Sequence, residues 1–177
     1  MLAHGAIAWR EAGEGAVALV LLHGIGSGSG SWVGQYGAFA ATHRVIGWDA
    51  PGYGGSDPLP QAQPLADAYA DVLEALLQRL GVREALVLGH SLGAIVAAAW
   101  AGRTRCRLHG LLLASPARGY ARAEPALREA KVRERVDLVQ RLGVAGMAAQ
   151  RSAALCAPGA RPEAVAVVRE AMAQATP

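Results

Sequence analysis

Ser91 is the residue of this sequence best placed to do chemistry. It stands between two glycines in Gly89-His-Ser-Leu-Gly93. Apolar Ala85 to Leu88 precede it as a short buried strand, and Leu92 to Ala101 follow as a helix built almost wholly from Ala and Val. A strand–turn–helix of this kind holds a serine on a strained bend, with its hydroxyl exposed at the carboxyl edge of a sheet. Two glycines beside a serine carry little weight alone in a chain with 22 glycines; the flanking strand and helix carry the argument. A second stretch, His23-Gly24-Ile25-Gly26, ends the apolar run Ala16 to Leu22, and a third, Asp49-Ala-Pro-Gly-Tyr-Gly-Gly-Ser56, is a rigid loop with two turn signals.

The elements that must position these residues follow from the apolar pattern. Ile7 to Glu11 is an opening strand, with Gly13 and Gly15 turning into the next. Ala16 to Leu22 has no polar alternation, as expected of a central strand covered on both faces. Trp32 to Ala41 is a short helix with Ser31 as its N-cap, and Arg44 to Trp48 the next strand. Gln63-Pro64 opens a helix whose apolar face carries Leu65, Tyr69, Val72, Leu73, Leu76 and Leu80, and Gly81 ends it. Leu108 to Ala114 is a further apolar strand. Strands alternating with helices predict an α/β fold, a mostly parallel sheet with flanking helices. After Ser115-Pro116 the composition shifts to charged helix, 118–142, with Glu124→Arg128 and Glu129→Arg133 at i,i+4. Gly143 breaks it, and helices over 147–156 and 162–174 follow. The expected division is thus 1–116 for the sheet-bearing part and 117–177 for a helical cap segment.

Bulk properties exclude several functions. The length and a 53% hydrophobic content suit a single core. The net charge of +3 comes from scattered Arg, and the single Lys, Lys131, belongs to no basic block interleaved with aromatics, so nucleic acid is not an expected partner. Nine Arg between 118 and 169 are expected to line a solvated helical face. Cys106 and Cys156 have no metal or redox spacing and are expected as free thiols in a reducing compartment. No basic stretch followed by an apolar run opens the sequence, and the apolar runs reach only about ten residues, short of a bilayer. A cytoplasmic protein without a membrane partner is therefore expected. The glycine-rich 24–34 loop raises dinucleotide binding, with Asp49 near the required distance, but no window satisfies G-x-G-x-x-G and no phosphate-loop lysine exists. No cofactor and no metal are expected.

Taken in order, the three motifs resemble the α/β-hydrolase fold family over residues 7 to about 116, and more loosely its capped members similar to 3-oxoadipate enol-lactonases. The resemblance implies a serine hydrolase of small esters or lactones, acting by nucleophilic acyl transfer. Ser91 would be the nucleophile, and the backbone N–H groups of Leu92 and Ile25 would form the oxyanion hole. His23 and His90 are expected to be structural, and Asp49 to fix its own Pro-Gly turn. The sequence departs from the family's pattern after Ser91, where an acid and then a histidine should each follow a later strand. The only Asp there is Asp137, in a charged helix, and the only His is His109, which precedes it. The triad's acid and base are thus expected to be absent, either by truncation or in a degenerate, non-catalytic relative that at most binds a small acyl ligand or a partner chain. Leu108 to Ala114, left without a further strand, is expected to form an exposed sheet edge that invites self-association.

Overall fold

The computed structural model describes residues 5–117 and 123–173. These form two compact units, 1–117 and 118–177.

The first unit is a five-stranded sheet: β1 (Trp9–Ala12), β2 (Val17–Leu22), β3 (Arg44–Trp48), β4 (Glu84–His90) and β5 (Arg107–Ala114), in the order β1-β3-β2-β4-β5. β2 to β5 run parallel, and β1 pairs antiparallel with β3. The opening strand therefore lies two places from its chain neighbour β2, with β3 between them, and the short Gly13–Gly15 segment passes over the beginning of β3 instead of closing a hairpin. The uninterrupted apolar run of β2 is explained by its central position, with Val20, Leu21 and Leu22 fully buried. Side chains of successive strand residues point to opposite faces. Val20, Leu22, Ile46 and Val87 join one core with α2 (Ala66–Arg79) and α3 (Leu92–Ala101) through Val72, Leu73, Leu76, Val96 and Trp100. On the other face, α1 (Val33–Phe39) sets Tyr36 against Gly47 so closely that any Cβ there would strike the phenol.

Three local expectations need correcting. A 3-10 turn, Ser29–Trp32, precedes α1, and Ser31 does not cap it. Its Oγ donates to the Gly28 carbonyl (2.8 Å), because a Ser-Gly-Ser run closes on its own backbone before the helix begins. Pro64 stands two residues outside α2, and Leu65, in extended conformation at the N-cap, is 77% exposed instead of joining the apolar face. Third, the sequence stripe of α2 omits Ala70 and Leu77, which are buried.

α2 and α3 are pinned together by one carboxylate. Glu74 accepts from Trp100 Nε1 (2.7 Å), Thr104 Oγ1 (2.7 Å) and Gln78 Nε2 (3.0 Å). Burial pushes its pKa upward, but these donors outweigh burial and hold it below the usual carboxylate value.

The second unit contains α4 (Pro125–Arg151), a 3-10 turn Ala153–Leu155 and α5 (Pro162–Ala173). Gly143 breaks the helical path inside α4 with φ 62° and ψ 176°. Ala148, Ser152, Ala171 and Met172 are buried, and Lys131 pairs with Glu134 at 2.8 Å on the exposed face. Residues 118–122 of the expected charged helix and residue 174 lie outside the described residues. Among the described residues no helix is long and apolar enough to cross a membrane, and both cysteines are free thiols.

Candidate active site

Ser91 occupies the one-residue bend between β4 and α3, with φ 55° and ψ −111°. A serine held at positive φ costs of order 1–3 kcal/mol and persists only where its surroundings over-determine it. Here the backbone of Ser91 is tied on both sides. Its N–H donates to the Ala114 carbonyl at the end of β5 (3.0 Å), and its own carbonyl accepts from Ala94 (3.2 Å) and Ala117 (3.3 Å). Two flanking glycines let α3 approach the sheet. A Cβ at Gly93 would fall on the Leu22 carbonyl, and one at Gly89 on the backbone of Gly93 and Ala94.

The His-Gly loop that follows β2 reaches the same point. A Cβ at Gly24 would stand 3.0 Å from Ser91 Cβ and 3.2 Å from His90 Nδ1, so glycine there admits the bend. Ile25 follows Gly24 and is 52% exposed, while Leu92, the first residue of α3, follows Ser91. The two residues expected as oxyanion donors thus each directly follow one member of the Gly24–Ser91 contact. A helix's first N–H groups have no partner inside the helix and are free to face a developing anion.

Each histidine has a definite place. His23 is 1% exposed: its Nδ1 bonds the Gly24 carbonyl (2.8 Å) and its Nε2 accepts from the Ala50 N–H (2.9 Å). Those two contacts require the neutral ring with the proton on Nδ1, and burial lowers its pKa below the ordinary histidine value. With both nitrogens engaged, His23 braces two loops. His109 pairs with Glu84 (Nε2–Oε2 2.5 Å) and is the extra residue where the β4–β5 register shifts, Ala85 facing Leu108 and Leu86 facing Gly110. Glu84 begins β4 and Ser91 follows its end, about 20 Å of strand apart. His43 precedes β3, also at the amino ends of the parallel strands. His90, exposed beside the bend, is the one described histidine adjoining Ser91.

Asp49 does more than its own turn requires. One carboxylate oxygen accepts from the Ser29 N–H (2.7 Å), twenty residues away, and the other from the Gly55 N–H at a long 3.5 Å. Nothing periodic in the sequence announces a carboxylate-to-amide link between two loops; the glycine at 54, where a Cβ would collide with the carboxylate, was the readable trace. Among the described residues no group of three or more His, Cys, Asp or Glu is arranged to hold a metal.

Comparison with known proteins places this geometry in context. A sequence model described as the alpha/beta hydrolase fold matches residues 17–153. The chain is 35% identical over 117 residues to the 2-hydroxy-6-oxononadienedioate/2-hydroxy-6-oxononatrienedioate hydrolase 2 of Pseudomonas putida, covering 64% of this chain and 41% of that protein. It is 39% identical over 115 residues to the dihydrolipoyllysine-residue acetyltransferase component of the acetoin cleaving system of the same organism, covering 64% and 31%. Among solved structures it resembles a thermophilic esterase from Thermogutta terrifontis, with a TM-score of 0.77 at 29% identity, covering 94% of this chain and 61% of that one. It also resembles Est816, described as an N-acyl homoserine lactone degrading enzyme, with a TM-score of 0.68 at 29% identity, covering 94% and 64%. The chain spans 41% or less of these two curated relatives and under two thirds of these two solved chains.

Proposed function

This chain belongs to the alpha/beta hydrolase fold family, and on that premise we propose that it is the nucleophile-bearing portion of a serine hydrolase acting on small esters or lactones. Ser91 attacks the acyl carbon, and the N–H groups of Leu92 and Ile25 receive the developing alkoxide. Each such donor is worth roughly 3 kcal/mol to the transition state. The observation that carries this reading is the bend itself: a serine at φ 55° tied through Ala94, Ala114 and Ala117, with Gly24 packed against it. An esterase and a lactone-degrading enzyme among the similar structures support the substrate class, and 3-oxoadipate enol-lactone-like compounds fit within it.

The 177-residue chain by itself is proposed to be inactive. A serine without an adjacent base is a weak nucleophile at neutral pH, His23 has both nitrogens engaged, and His109 stands at the far end of β4. The placement of these histidines also favours the second reading, a non-catalytic chain that at most binds a small acyl ligand or a partner chain.

Initial rates on p-nitrophenyl acetate and a small enol-lactone separate the two. They are measured for the chain alone and for the chain extended by the carboxyl-terminal portion of the Thermogutta terrifontis esterase. The hydrolase reading expects a gain of about 10⁴-fold or more on extension, lost again in Ser91→Ala. No gain would favour the non-catalytic reading. Rapid Ser91-dependent turnover by the unextended chain would overturn the absence of a base and leave His90 in that role.

A further inference from the structure

The loop that carries Ile25 is held at both ends by two consecutive residues of the Asp49 loop. At its front, His23 Nε2 accepts the Ala50 N–H (2.9 Å); at its rear, the Ser29 N–H donates to Asp49 Oδ1 (2.7 Å). Between these anchors lie Gly24 to Gly28, with Gly26 at φ 68° and Ile25 half exposed, a span with little side-chain packing of its own. Room for the carboxylate is made on both sides. A Cβ at Gly28 would stand 3.1 Å from Asp49 Oδ1, and one at Gly54 would meet Oδ2. Asp49 is itself fixed: its N–H donates to Ala8 (2.9 Å), and its carbonyl accepts from Ser56 Oγ (2.6 Å). Ser29 is secured independently, with Tyr36 Oη donating to its carbonyl (3.0 Å) and Arg10 Nε to its Oγ (3.2 Å).

We propose that Asp49 is a positioning residue, whose carboxylate, through the Ser29 N–H, sets the distance between the Ile25 N–H and an oxyanion formed at Ser91. The inference rests on the assignment of Ser91, Leu92 and Ile25 proposed above. Asp49 acts on the loop and not on the reacting atoms. A shift of an ångström at a transition-state donor is enough to cost about a hundredfold in rate, so a rear anchor on a glycine-rich loop is a site of leverage.

The test needs no general base. In the 177-residue chain carrying Ser91→Cys, Cys106→Ala and Cys156→Ala, position 91 holds the sole thiol, which ionises without a neighbouring base. Two second-order rate constants are measured there. With p-nitrophenyl acetate the thiolate sulfur bonds to the acetyl carbon and the carbonyl electron pair moves to oxygen. That oxyanion then collapses, expelling p-nitrophenolate. With 5,5′-dithiobis(2-nitrobenzoate) the thiolate attacks sulfur and releases an aromatic thiolate, so no oxyanion forms. The ratio of the two constants, referred to N-acetylcysteine, reports the oxyanion donors and cancels changes in thiolate fraction.

The expected parent ratio exceeds that of N-acetylcysteine by about tenfold or more. Asp49→Ala lowers it by about tenfold, and Asp49→Asn, which keeps an oxygen for the Ser29 N–H, stays close to the parent. Compared with Ser29→Ala, which loses the hydroxyl that Arg10 bonds but keeps the N–H, Ser29→Pro deletes the same hydrogen bond from the other side. It is compatible with the extended backbone of Gly28 (φ −166°, ψ −176°) and the first position of the 3-10 turn, and should lower the ratio as Asp49→Ala does, which decides the matter if that variant does not fold. An unchanged ratio in whichever of the two folds overturns the role of Asp49 and leaves the Ser91 assignment standing. A parent ratio equal to that of N-acetylcysteine overturns both.

Discussion

A buried histidine that must stay neutral makes the first unit sensitive to acid. The folded pKa of His23 lies below its ordinary value of 6.5, chiefly through burial, so the unfolded chain takes up the proton first as pH falls. The stability tied to the neutral ring is whole above about pH 6.5 and is lost progressively below it, at no more than about 1.4 kcal/mol per pH unit for one proton. Urea midpoints between pH 5 and 8 should therefore fall on the acid side, and His23→Asn should flatten that fall while lowering stability at pH 8. Equal acid slopes in the two proteins would contradict the neutral-ring assignment. The serine and its two glycines were legible in the sequence because the bend is a local event. The link from Asp49 to Ser29 was not, because a carboxylate reaching an amide twenty residues away leaves no periodic trace.

At the level of elements, long apolar runs were the most readable feature. β2, β3, β4 and α3 fall within a residue or two of where the apolar pattern puts them, since each fills one row of the core. The ends of helices were less readable. Pro64 fits a first helical turn by its fixed φ, yet the chain stays extended through Leu65 before α2 begins. Ser31, a good cap by type, spends its hydroxyl on Gly28. Sheet order was outside the reach of pattern, so β1 lies beside β3 and not β2. The clamp of Glu74 on Trp100 and Thr104 was equally silent, because a half-buried carboxylate on a helix has the same sequence signature as a solvated one.

For the whole molecule, the two margins of the sheet differ in kind. β1 is four residues long and carries Arg10 and Glu11. β5 spans eight residues at the other margin, with Leu111, Leu112 and Leu113 exposed by 38%, 58% and 39%. A long apolar edge with unpaired N–H and C=O groups templates pairing with another strand. The chain is expected to self-associate through β5 in a concentration-dependent way, read by sedimentation velocity, and Leu112→Lys should shift it toward monomer. A monodisperse monomer across the accessible concentration range would count against that edge as an interface.

Whether Ser91 is the nucleophile of a bend whose base the 177-residue chain does not supply can be read from the position of a covalent adduct. The chain and its extended form are exposed to a fluorophosphonate, and the modified peptide is identified by mass spectrometry. Phosphonylated Ser91 is expected in the extended form, with labelling slower by about 10⁴-fold or more in the 177-residue chain and none in either Ser91→Ala variant. Label on a serine other than Ser91 would remove Ser91 from the nucleophile's role, and equally fast labelling with and without the extension would show that the 177-residue chain supplies its own base.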